Sequence, residues 1–93
     1  ILTYDPRPRY RDTVRREAWS PLFQRYGVEL VLTGHVHAYE HHLVDGYHHV
    51  ITGGGGVLLW NEPVPGPETI ATETSFHFCS IGVSGSTASV EAI

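Results

Sequence analysis

The chain has no lysine and no methionine, a single cysteine and no long apolar run. Each absence narrows what it can be. All six positive residues are arginine, and five of them lie between Arg7 and Arg16, while the net charge with histidine neutral is −4. The N-terminal stretch is therefore locally basic and the remainder acidic. That asymmetry suits an anion contact or, more plainly, a solvated helix face. Basic residues interleaved with aromatics, as in nucleic-acid modules, are missing, so no nucleic-acid partner is expected. One cysteine, Cys79, excludes an internal disulfide framework, and it reads as a small packing residue rather than a nucleophile. No stretch approaches the roughly 18 apolar residues of a membrane helix, so no membrane partner is expected. No charged n-region leads into an apolar h-region. The opening Ile1-Leu2-Thr3 sits inside an apolar pattern and reads as the interior of a longer protein.

What is present fits one small domain over residues 1–93, with 41% hydrophobic residues for a modest core. Ile1 to Tyr4 reads as the end of a strand and Asp5 to Tyr10 as an irregular loop. Asp12 or Thr13 can cap a helix. Val14, Ala18, Leu22 and Tyr26 then recur at spacing four and are expected on its inner face. Pro21 interrupts this helix or, with Ser20 as cap, opens a second turn. Gly27 ends it. Val28 to Thr33 reads as a strand buried on both faces, so helix and strand form the second half of a β-α-β unit. Asp45-Gly46 is a tight turn before a strand over Tyr47 to Thr52. Gly53 to Gly56 is a glycine loop, and Asn61 to Thr74 reads as surface loop. Ser75 to Val83 and Thr87 to Ile93 form a closing hairpin around Ser84-Gly85-Ser86. The fold class is α/β: β-α-β followed by antiparallel strands.

Seven histidines are an excess for 93 residues, and protonating them would reverse the sign of the net charge. Two stand at i and i+2 in Leu32-Thr33-Gly34-His35-Val36-His37-Ala38-Tyr39-Glu40. In extended backbone such a pair points to one side. Beyond the C-terminal end of a strand it projects into the crevice where open α/β sheets bind ligands. Gly34 permits a sharp turn there. Two imidazoles aimed at one place can each serve one ion of a two-metal site. At this histidine content a His-x-His pair also arises readily by chance; the buried strand, the glycine, the aromatic and the carboxylate give this one weight. Glu40 can steady a ligating histidine through a hydrogen bond.

The run Tyr26-Gly27-Val28-Glu29-Leu30-Val31-Leu32-Thr33-Gly34-His35-Val36-His37-Ala38-Tyr39-Glu40 resembles the last signature of calcineurin-like metallophosphoesterases, in the Gly-His-Val-His-x-Tyr-Glu form of purple acid phosphatases. Tyr47 to Gly56 resembles the strand and glycine turn that follow in that family, and the final hairpin its closing strands. The resemblance implies that the chain is the C-terminal portion of a four-layer α/β/β/α sandwich. It implies that His35 binds the second metal and His37 the first, with iron, zinc or manganese as the two ions. It implies a hydrolase of phosphate esters, a remaining N-terminal half as partner, and a secreted or periplasmic setting. The family's other ligands, in Asp-x-His, Gly-Asp-x-x-Asp or Tyr, and Gly-Asn-His, are not among these residues, so the chain alone is expected to be inactive. Two positions depart from the pattern. His41 stands where purple acid phosphatases usually carry arginine. The upstream His-x-Pro segment falls on Ile1 to Tyr10, where its histidine is replaced by Tyr4 if Pro6 is the motif proline, or by Pro6 if Pro8 is. Rival readings are a non-catalytic degenerate relative and a small standalone metal-binding module.

No catalytic or substrate-binding residue is assigned from the sequence. His41, His42, His48 and His49 can contact a substrate phosphate or serve as strand surface. Gly53 to Gly56 lacks the lysine of a P-loop and reads as a tight turn. Trp19, Trp60 and His77 read as packing residues.

Overall fold

The computed structural model describes residues 13–60 and 63–93. One helix, α1 (Thr13–Arg25), precedes six strands: β1 (Leu30–Thr33), β2 (Tyr39–Val44), β3 (Tyr47–Thr52), β4 (Thr69–Glu73), β5 (Cys79–Ser84) and β6 (Thr87–Ala92). The architecture is mixed α/β. Four strands form one sheet in the order β1-β3-β2-β4, and β5 and β6 form a separate antiparallel pair. The expected strand end at Ile1 to Tyr4, the loop Asp5 to Tyr10, the cap Asp12 and the positions Tyr4 and Pro6 lie outside the described residues.

The centre of the sheet is the β2–β3 hairpin. Val44 faces Tyr47 across the turn, and Asp45 and Gly46 both take positive φ, 49° and 91°. Two left-handed residues in a two-residue loop match the twist of the flanking strands, which is why Asp-Gly is favoured there. On the other side of β3, β1 runs parallel to it, Leu30 opposite His48 and Thr33 opposite Ile51. Both parallel strands therefore deliver their C-terminal ends to the same edge of the sheet.

Helix α1 is one continuous element through Pro21. It stops at Gly27, whose φ is +66°. The amide of Gly27 donates to Gln24 O at 3.2 Å and that of Val28 to Phe23 O at 2.9 Å, the double closure that a left-handed residue allows. The inward face differs from the expected one. Ala18, Leu22 and Tyr26 are exposed, whereas Ser20 is buried and Phe23 packs on the Val44–Tyr47 cluster. A polar latch decides this rotation. Ser20 Oγ donates to Asp45 Oδ2 at 2.8 Å and accepts from the Tyr47 hydroxyl at 3.0 Å. Trp19, expected to pack, is likewise exposed.

Three strands depart from expectation. β1 begins at Leu30 rather than Val28 and, among the described residues, pairs only with β3. As an edge strand it leaves Leu32 45% exposed instead of burying both faces. The surface loop expected over Asn61 to Thr74 contains β4, a polar edge strand paired to β2. The histidine-rich stretch after Ala38, given no element from the sequence, forms β2. At the C-terminal hairpin, β5 starts at Cys79 and not Ser75. Among the described residues no helix is long and apolar enough to cross a membrane.

Candidate functional site

The segment leaving β1 carries Gly34, His35, Val36, His37 and Ala38. The segment leaving β3 carries Gly53 to Gly56. Because β1 and β3 are parallel neighbours, the two segments meet at one sheet edge. The contact is tight. The amide of Gly53 donates to Ala38 O at 3.1 Å, and a Cβ on Gly53 would collide with the carbonyl of Val36. A Cβ on Gly54 would come within 2.5 Å of His77 Nδ1 and 2.6 Å of Ser75 O. The glycines thus allow backbone to lie against backbone beside the histidine pair. Val36, Ala38 and Ile51 form the buried floor, covered by Trp60.

The pair is brought together, though not by extended backbone. His35 takes φ +74°, so the left-handed residue of the sharp turn expected at Gly34 is the histidine itself. Histidine is among the few non-glycine residues enriched in this region, yet the conformation still costs about 1–2 kcal/mol. Both imidazoles lie against one indole: His35 edge-on to Trp60 with centroids 5.9 Å apart, His37 tilted at 5.0 Å.

His37 is held twice by the segment after the glycines. The amide of Trp60 donates to His37 O at 3.1 Å. The ring atom Nδ1 lies 2.8 Å from Leu58 O. A carbonyl oxygen can only accept, so Nδ1 carries the proton and Nε2 keeps its lone pair. That is how a ligating imidazole is normally prepared. Among the described residues no group of three or more His, Cys, Asp or Glu gathers to hold a metal. Two imidazoles fit a share of an ion's donor set and not the whole of it.

Glu40 does not support the pair. It is buried at 1% exposure, and its Oε1 accepts from His42 Nε2 at 3.1 Å. Gly66 N–H donates to Thr69 Oγ1 at 2.9 Å, and Thr69 Oγ1 meets His42 Nδ1 at 3.0 Å, so the network links β2 to β4. Glu40 Oε2 is buried with no hydrogen-bond partner. His49, opposite His42 in the register, is fully buried and bonds Thr33 Oγ1 at 2.9 Å. Burial, then the neighbouring His42, pushes the His49 imidazole from its ordinary 6.5 down to about 4. His42 and His49 are thus sheet interior.

His41 and His48 occupy the opposite face. His41 Nε2 and His48 Nδ1 are 2.9 Å apart. Burial, then His48 and His42, holds the His41 imidazole below its ordinary range. His77 is structural: its Nε2 meets Thr52 Oγ1 at 2.8 Å and its Nδ1 donates to Ser75 O at 3.0 Å.

The sequence reading missed the Leu58 carbonyl and the part played by Trp60. The only available signal was an apolar run, Val57 to Trp60, standing outside any strand directly after the glycines. Comparison with protein-family models, curated proteins and solved structures found no match to this chain.

Proposed function

We propose that the chain is part of a calcineurin-like, purple-acid-phosphatase-like metallophosphoesterase and supplies His35 and His37 to its two metal ions, iron, zinc or manganese. The observation that carries this reading is the hydrogen bond from His37 Nδ1 to Leu58 O at 2.8 Å, which leaves Nε2 as a fixed lone-pair donor. The signature from Tyr26 to Glu40 and the position of the pair beyond a parallel strand end support it. In this reading His37 holds one ion through Nε2, and His35, exposed on the same crevice, holds the other. Trp60 lies against both rings, edge-on to His35 and tilted to His37. When bound, the ions would polarise a phosphate ester and lower the pKa of an attacking water. The remaining donors would come from Asp-x-His, Gly-Asp-x-x-Asp or Tyr, and Gly-Asn-His segments outside these 93 residues. The whole would be a four-layer α/β/β/α sandwich, with α1 and the four-stranded sheet as one flank.

One observation favours a second reading. The upstream His-x-Pro segment carries Tyr4 or Pro6 where the family has its histidine, which suits a non-catalytic relative that keeps a weak metal site. Hydrolysis of a model phosphate monoester by the native protein, supplied with iron, zinc or manganese, separates the two. The first reading expects turnover that is lost in H35A and in H37A. No hydrolysis with any metal, or turnover that survives both substitutions, contradicts it.

A further inference from the structure

We propose that His41 and His48 form a transition-metal site separate from His35 and His37: a two-imidazole anchor for copper(II) or zinc(II), on the sheet face away from His42 and His49, at a cleft that Ala88 and Val90 of β6 also line. The inference does not depend on the proposed phosphoesterase activity.

The two side chains come from adjacent antiparallel strands. His41 is in register with Val50 and His48 with Leu43, so the histidines are diagonal neighbours, a separation that long side chains bridge. Their rings are 5.2 Å apart between centroids, tilted by 35°, with His41 Nε2 and His48 Nδ1 at 2.9 Å. Two ring nitrogens at that distance cannot both present lone pairs; one must be an N–H that donates to the other. A metal ion can replace that shared proton. Metal–imidazole bonds of about 2.0–2.1 Å at a tetrahedral angle place two nitrogens about 3.3 Å apart. The pair therefore needs to open by a few tenths of an ångström and to turn its rings until both lone pairs converge on the ion, a movement for the two χ angles of each side chain.

The surroundings suit an ion with open positions. The pair lines a cleft of about 300 Å³ together with Glu29, Leu30, Tyr39, Val50, Ala88 and Val90. His48 is exposed and His41 half-buried, so the ion can enter from solvent and keep water on its free positions. Imidazole donors favour copper and zinc over manganese and magnesium. With two protein ligands, binding should be exchangeable rather than permanent. The hairpin fixes both strands by its own register and turn, so the anchor is preorganised.

The test is a copper(II) titration of protein carrying H35A and H37A, read by electron paramagnetic resonance. Expected is one bound copper with splitting from two imidazole nitrogens, lost when H48N or H41Q is added. Because His48 is exposed, H48N should leave the circular dichroism unchanged. An independent reading needs no substitution at the pair: zinc should shift the ring resonances of His41 and His48 by nuclear magnetic resonance. The proposal is overturned if the H35A/H37A protein binds no copper, if binding survives H48N and H41Q, or if zinc leaves both rings unmoved.

Discussion

The ring of His37 and the carbonyl of Leu58 meet at 2.8 Å through Nδ1, and that contact fixes which nitrogen of His37 is free. It predicts the Nδ1–H tautomer at neutral pH in metal-free protein. Long-range proton–nitrogen correlation spectra distinguish the tautomers directly. An unprotonated Nδ1 would contradict the reading of His37 as a prepared ligand.

His35 sits at φ +74° without being glycine. Glycine adopts this region without the penalty of a Cβ. His35→Gly should therefore leave the fold as stable or raise its stability, by up to about 1 kcal/mol, while removing one imidazole from the site. Urea unfolding measures this. A clear loss of stability would mean that the His35 ring holds the loop together and that the left-handed turn is not strained.

Gly53 and Gly55 should respond oppositely to alanine. A Cβ on Gly53 meets the Val36 carbonyl, and one on Gly55 meets nothing within 4 Å. Gly53→Ala should cost on the order of 1–3 kcal/mol, as overpacking does. Gly55→Ala should stay within about 0.5 kcal/mol of wild type. Equal effects in thermal unfolding would mean that the two loops do not pack as described.

Acid should destabilise the sheet through His49. Its pKa is about 4 in the folded protein against an ordinary 6.5, so between these values the unfolded chain binds the extra proton. Stability is thus full above about pH 6.5 and falls as pH drops towards 4, by at most about 3 kcal/mol from this residue. Unfolding at pH 7 and pH 5 in the presence of a chelator should show the loss in wild type and a smaller one in H49Q. An identical loss in both would assign the acid sensitivity elsewhere.

Much of the fold was legible where local backbone chemistry fixes it. Gly27 ends the helix and Asp45-Gly46 turns the hairpin because these positions require positive φ, which the residue types announce. The final hairpin was readable for the same reason. β2 and β4 were not, since histidine- and threonine-rich stretches carry little apolar alternation. Ala18, Leu22 and Tyr26 misled because two helix faces offered apolar residues, and the contacts of Ser20 with Asp45 and Tyr47, distant in sequence, chose between them. That His35 and His37 lie together just beyond β1 was legible from spacing and context. The Leu58 acceptor was not, because every residue has a backbone carbonyl and nothing in a sequence marks the one that is used. Nor was the pairing of Glu40 with His42, which follows from their alternation on β2, a strand the sequence did not reveal.

The most direct test is anomalous X-ray diffraction from crystals of the native protein loaded with zinc, manganese or iron. A metal peak is expected about 2.0–2.2 Å from His37 Nε2, with a second peak within bonding distance of His35. Metal-loaded crystals with no peak at either imidazole would contradict it.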